Sequence, residues 1–227
     1  MILKIAYCPF AACQELKDMA AAVVKSHNSV HRFDRFDPAL RTPADGSTVL
    51  AGVASYQQLY IFAHGFTGND RVYNGANAGL TVTELALQLK GQGLPLSIKK
   101  IKLWVCNAGT VDGAGASTAN YFKRAMMGEM YTNVQVFGYS LCLGTGLNAG
   151  KHKVGVFEDA VVRVNAAKQA VVEAARSTKR EAISEDDLDA LMNGKAVAEV
   201  TRLPVDPGTG RFREIEKVSA KQIRHKF

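Results

Sequence analysis

No stretch of this sequence reaches the roughly 18 consecutive apolar residues that a membrane-spanning helix requires. A membrane span is therefore not expected. The opening residues, Met1-Ile-Leu-Lys-Ile-Ala-Tyr-Cys8, lack the charged-then-apolar order of a secretory signal. Phe10-Ala-Ala-Cys13 has the look of a lipoprotein cleavage site, but the apolar stretch before it is short and carries Lys4. The expected location is the cytoplasm, or outside the cell by a route without a cleaved signal peptide. Cysteine is sparse: Cys8, Cys13, Cys106 and Cys142 are the only four, and none forms a C-x-x-C pair. That spacing excludes a zinc ribbon or finger and points to a reduced chain with buried thiols. No metal and no cofactor is expected. Internal repeats and low-complexity segments are absent. So is any dense block of Lys and Arg interleaved with aromatics, which argues against nucleic-acid binding despite a formal charge of +7. The surplus charge favours anionic partners only in a general way.

What is present is an ordinary globular composition, with 47% hydrophobic and 22% charged residues in a chain of 227. Such a chain can bury one substantial core. Residues 2–8 read as a buried strand. In residues 12–25, Leu16, Met19, Val23 and Val24 recur at helical spacing. Residues 29–36 suit a second strand, and 37–46 a loop rich in turn residues. The β-prone run 58–63 ends at His64-Gly65, and 66–79, with its Gly, Asn and Asp, reads as loop. Thr81 with Glu84 three residues on is a capping box, opening a helix on Val82, Leu85 and Leu89 that Gly91 and Gly93 close. Residues 98–105 form the next strand, ending at Cys106. A glycine-rich turn over 107–115, a helix on Ala119, Phe122, Ala125 and Met126, and a strand at 134–138 follow.

This alternation predicts an α/β fold, a mainly parallel sheet with helices on both faces. Residues 1–150 are expected to make the catalytic core. Residues 151–227 read as an α+β extension packed on it: β structure at 151–164, an alanine-rich helix at 165–177, a short helix from Ser184 to Gly194, then a hairpin of 196–203 with 211–218 around Asp206-Pro-Gly-Thr-Gly210. The tail from Ser219 reads as basic and frayed.

Two strands end in reactive residues, His64 and Cys106. In a parallel sheet ligands bind at the carboxyl ends of strands. A thiol needs a base to become a thiolate at neutral pH, and an imidazole supplies it. The N–H groups of Gly65 and Cys106 are placed to hold an oxyanion. Asp70 and Asp112, in the two neighbouring loops, are candidates to orient His64 or to set specificity.

The blocks Leu59-Tyr-Ile-Phe-Ala-His64-Gly65 and Ile101-Lys-Leu-Trp-Val-Cys106-Asn-Ala-Gly109 resemble the caspase-like superfamily of cysteine peptidases. That group includes caspases, gingipains, clostripain, legumain, separase and the self-cleaving protease domains of large bacterial toxins. The resemblance covers roughly residues 1–140. It implies a Cys106–His64 dyad without an obligatory acid, acting as a thiol protease on a peptide or protein substrate, as in a bacterial effector or a self-processing protease. The family carries a small or acidic residue just before its nucleophile; here Val105 stands there. In the toxin domains inositol hexakisphosphate, a polyanion, binds near a β-flap beyond the catalytic strands. The resemblance then implies a polyanionic activator at Lys151, Lys153, Arg163, Arg211 and Arg213, with Arg202 and Lys217 beside them.

Two other readings compete. His64-Gly65-Phe-Thr-Gly68 also suits the oxyanion loop of an α/β-hydrolase. Ser140, in Gly138-Tyr-Ser140-Leu-Cys142, would then be the nucleophile, with Asp159 or a later acid and His225 completing the set; but an elbow needs glycine where Cys142 stands. Alternatively the chain is a non-catalytic binding module that keeps only the fold.

Overall fold

The computed structural model describes residues 2–43, 48–66, 68–75, 78–111, 115–140, 142–148, 151–157, 166, 168–174, 191 and 212–227. Its centre is a six-stranded sheet. Strands β1 (Ile2–Tyr7), β2 (Arg35–Phe36), β3 (Gln58–Phe62), β6 (Lys100–Trp104), β7 (Gln135–Tyr139) and β11 (Arg224–Lys226) lie in the order β11-β7-β6-β3-β1-β2. All neighbours are parallel except β11, which runs antiparallel to β7. Both faces of the central strands are buried, mostly by apolar side chains, as strands covered on both faces require. Ile5, Leu59, Ile61, Ile101 and Leu103 face one core; Ala6, Tyr60, Phe62 and Trp104 face the other.

Helix α1 (Gln14–Val30) connects β1 to β2, moving outward in one direction along the sheet. Helices α2 (Val82–Gly91) and α3 (Thr118–Gly128) connect β3 to β6 and β6 to β7, moving the other way. Right-handed crossovers of opposite direction put their helices on opposite faces. The packing agrees: Ala20, Val23 and Val24 of α1 join one core, whereas Leu85, Leu89, Phe122 and Met126 of α2 and α3 join the other. The strand order reverses between β1 and β3, so the crevice of the sheet opens at their carboxyl ends.

Local signals hold where they are chemically specific. Thr81 caps α2, its hydroxyl accepting from the Glu84 N–H while the Glu84 carboxylate accepts from the Thr81 N–H at 2.7 Å. Elsewhere tertiary contacts redraw the boundaries. The strand expected over 29–36 is only Arg35–Phe36, because α1 continues to Val30. His27 extends the buried face of α1 and stacks edge-on against Phe36, a contact invisible to local pattern. The loop expected over 66–79 contains a hairpin of β4 (Arg71–Tyr73) and β5 (Gly79–Thr81). The tail expected to fray instead supplies β11, and Ala220 and Ile223 anchor it in the core. Arg224, His225 and Lys226 are polar throughout and exposed, so this edge strand has no apolar period to reveal it.

A second, antiparallel sheet has the order β10-β9-β8, from β8 (Cys142–Asn148), β9 (Lys151–Phe157) and β10 (Phe212–Ser219). β8 was hidden in the glycine-rich stretch before Lys151. β8 and β9 pair antiparallel, with Asn148 opposite Lys151. Residues 168–174 are helical. Apart from residue 191, the expected short helix at 184–194, the strand at 196–203 and the turn at 206–210 lie outside the described residues. Among the described residues no helix is long and apolar enough to cross a membrane.

The α1 face of the sheet buries two lysines. Lys4 and Lys102 are 5% and 8% exposed. Burial, reinforced by Arg224 and Lys4 nearby, lowers the Lys102 ammonium from its ordinary value to about 7. Below pH 7 folded and unfolded chains both carry that proton, and the cost of burying the charge is fully present. Between about pH 7 and 10 the unfolded chain still holds a proton that the folded chain has released, so stability climbs with pH. Denaturant midpoints for the wild type should therefore rise from about pH 6 to pH 9. Lys102→Met should be the more stable chain at about pH 6, and its advantage should shrink over that range. An advantage that stays constant with pH would contradict this.

Candidate active site

β3 and β6 are neighbours, in register with Gln58 opposite Lys100 and Phe62 opposite Trp104. The Ala63 N–H extends the ladder to the Trp104 carbonyl at 3.4 Å. His64 and Cys106 therefore leave the same end of adjacent strands, each two residues beyond the last full pair. The chains stay together there. Gly65 lies so close to the next strand that a Cβ on it would fall 2.2 Å from Val105 Cγ1 and 2.9 Å from the Cys106 carbonyl oxygen. Only glycine allows that approach, and it brings the histidine block directly against the cysteine block.

Local backbone chemistry shapes both ends. His64 exchanges two 2.9 Å backbone bonds with Tyr73, which clamps its main chain to the β4–β5 hairpin. Asn107 adopts a left-handed φ of 56°, which asparagine tolerates better than most residues. The chain turns sharply there, with the Ala108 N–H donating to the Val105 carbonyl and the Thr110 N–H to that of Asn107. Cys106 is left half-buried and outside any disulfide, whereas Trp104 and Val105 before it are core. α3 then starts at Ser117, whose hydroxyl caps the Asn120 N–H at 3.2 Å.

The structure adds residues that sequence reasoning missed. Glu15, in the first turn of α1, brings Oε1 to 3.6 Å from His64 Nε2. That nitrogen is sealed from solvent and makes no hydrogen bond among the described residues. Gly75 closes on the same imidazole edge, where a Cβ would meet Nε2 at 3.3 Å and Glu15 Oε2 at 3.5 Å. Cys13, also at the α1 N-terminus, donates its thiol to the Asn74 carbonyl at 3.1 Å. Glu15 is 49 residues from His64 and carries no local signal of this approach; only the crevice between β1 and β3 joins them. Gly65 is buried, and among the described residues its N–H makes no backbone hydrogen bond.

Asp70 is exposed and forms no ion pair with His64 among the described residues. It lines a polar cavity of about 400 Å³ with Gly68, Asn69 and Tyr121, while its carbonyl accepts from the Val82 N–H at 2.7 Å. Asp112, Arg163 and Arg211 lie outside the described residues. So do Asp159 and Arg202. Lys151 and Lys153 lie on β9, and Arg213 and Lys217 on β10, where the backbones pair antiparallel.

The alternative nucleophile has a partner too. The Ser140 hydroxyl is hydrogen-bonded to His225 Nε2, because β11 pairs with β7 and sets His225 opposite Gly138. The surroundings differ from a nucleophile elbow. Residues 142–148 after Ser140 form strand β8, where an elbow turns into a helix. Among the described residues no carboxylate pairs with His225. No group of His, Cys, Asp and Glu among the described residues could hold a metal ion. Comparison with known protein families, curated proteins and solved structures found no match to this chain.

Proposed function

We propose that this protein is a caspase-fold cysteine peptidase in which Cys106 attacks a peptide carbonyl and His64 serves as base and then acid. One observation carries the reading: His64 and Cys106 follow adjacent, in-register parallel strands, with Gly65 packed against Val105 and the Cys106 carbonyl. His64 takes the thiol proton, and the thiolate sulfur bonds to the carbonyl carbon. The Gly65 and Cys106 N–H groups receive the negative oxygen. The tetrahedral intermediate collapses, His64 gives its proton to the departing amine, and water then releases the acyl group by the reverse chemistry. Glu15 Oε1 stands 3.6 Å from Nε2; a short side-chain movement would let it accept a hydrogen bond from that nitrogen and leave Nδ1 facing the thiol.

The test is labelling with a peptide bearing a thiol-reactive electrophile, followed by mapping of the modified residue. Cys106 should be labelled far faster than Cys8, Cys13 or Cys142, and His64→Ala should abolish the preference. Equal labelling of all accessible thiols would favour the non-catalytic module.

The Ser140–His225 hydrogen bond supports a second reading, a serine esterase. A fluorophosphonate separates the two. Modification of Ser140, with ester hydrolysis lost in Ser140→Ala and kept in Cys106→Ala, would establish the esterase in place of the peptidase.

A further inference from the structure

We propose that Lys102 is a reactive amine in a pocket on the α1 face of the sheet, built to take a small anionic aldehyde or ketone as an imine. This inference stands apart from the peptidase reading and uses none of its residues.

The geometry begins with the sheet. Tyr60 on β3 lies opposite Lys102 on β6, and their side chains share the α1 face. Lys102 Nζ sits 2.7 Å from the Tyr60 hydroxyl and 4.8 Å from the centre of the same ring. Among the described residues that hydroxyl is its only hydrogen-bond partner. Both groups line a cavity of about 230 Å³, room for a molecule of only a few heavy atoms.

Charge around the cavity is one-sided. Lys4 from β1, Arg224 from β11 and Lys221 just before it line the same space. The carboxylate present is Asp34, and it is already engaged, 2.6 Å from Lys4 Nζ. From α1, His27 and His31 complete the wall; burial holds His27 down at about 4, so it adds no charge at neutral pH. Lys100 adds a further positive charge within electrostatic range. Tyr60 and Tyr139 stay protonated, since burial raises both phenols. A surplus of cations converging on one partly buried cleft attracts an anion more strongly than isolated surface lysines do.

The same burial and the same neighbouring cations leave a substantial share of Lys102 as the neutral amine near pH 7. The nitrogen lone pair can then bond to a carbonyl carbon while the carbonyl π electrons move to oxygen. Tyr60, at hydrogen-bond distance, gives its proton to that oxygen and recovers one from nitrogen. Loss of water leaves the carbon–nitrogen double bond, with atoms and charge balanced. The substrate's carboxylate or phosphate meets Lys4 and Arg224.

Glyoxylate, a small carboxylate-bearing aldehyde, is a suitable probe, with cyanoborohydride to reduce the imine to a stable secondary amine. Intact protein would be treated at about pH 7 and the adducts mapped by mass spectrometry. Lys102 should dominate over the exposed lysines, and excess acetate should slow its labelling. Its rate should level off above about pH 8, while exposed lysines continue to gain up to about pH 10. Tyr60→Phe, which keeps the ring and its packing, should slow adduct formation at Lys102 by about tenfold or more without lowering the melting temperature by more than a few degrees. Adducts distributed by exposure, with Lys102 unmodified, would overturn the proposal. So would Lys102 labelling that rises with pH as surface lysines do, or that is indifferent to acetate.

Discussion

Cys106→Ala and His64→Ala are each expected to reduce peptide hydrolysis to background while leaving the circular dichroism spectrum and thermal midpoint close to those of the wild type. The two halves of this expectation have separate causes. Activity is lost because without the sulfur there is no nucleophile, and without the imidazole the thiol keeps its proton at neutral pH. General acid–base catalysis alone contributes about 10²–10⁴-fold, and loss of the nucleophile costs more. The fold survives because neither side chain is core. Cys106 and His64 are partly exposed, and the buried packing at these strand ends belongs to Phe62, Ala63, Trp104 and Val105. His64 is held through its backbone pairing with Tyr73, which alanine preserves. Glu15→Gln should have a smaller effect, since the amide still fills the same place beside Nε2 but carries no charge. If Cys106→Ala retained hydrolysis, or if it unfolded, the assignment would fail.

Gly138→Ala should lower the melting temperature by about 6–12 °C, the consequence of a loss of about 3 kcal/mol or more in a domain of this size. Gly138 on β7 and Gly109 in the turn after Cys106 touch backbone to backbone. A Cβ at residue 138 would come within 2.8 Å of the Ala108 carbonyl carbon, the Gly109 nitrogen and the Ala119 Cβ. None of these is the flexible tip of a long side chain, so the strain falls on main chain and on the start of α3. The Gly109 N–H also donates to the Tyr139 carbonyl at 2.9 Å, a bond that separation of the two segments would break. Because this contact holds the turn that follows Cys106, the variant should also lose selective labelling of that thiol. Gly91→Ala is the control. A Cβ there meets nothing within 4 Å, and alanine suits the end of a helix. It should be neutral or slightly stabilising. Equal effects at residues 91 and 138 would show that the glycine contact does not bind the turn to β7.

Legibility follows the range of the interactions. The Thr81 capping box was readable because both partners lie within one helical turn. The strands at 58–62 and 100–104 were readable as short β-prone runs bounded by loops, although Lys100 and Lys102 break the apolar pattern of the second. From these come the α/β class, the parallel sheet and the nomination of His64 and Cys106. Strand β8 has no strand signal in the sequence, because Gly144 and Gly146 lower its β propensity and the pairing with β9 that orders it is set by the partner strand. The last strand was missed because Arg224, His225 and Lys226 have no apolar face; β7 supplies their hydrogen bonds, and Ile223 supplies the anchor.

By itself the sequence determined the helices and the central strands, and that two of those strands end in a histidine and a cysteine, because propensity, capping and hydrophobic period act over a few residues. Only the tertiary structure decided what meets at those ends. The β3–β6 register, the Gly65 contact with Val105, the approach of Glu15 across the crevice and the gathering of Lys4, Tyr60, Lys102 and Arg224 on one face all depend on strand order. Strand order is fixed by crossover handedness and by the burial of both sheet faces at once, and no single segment carries that information.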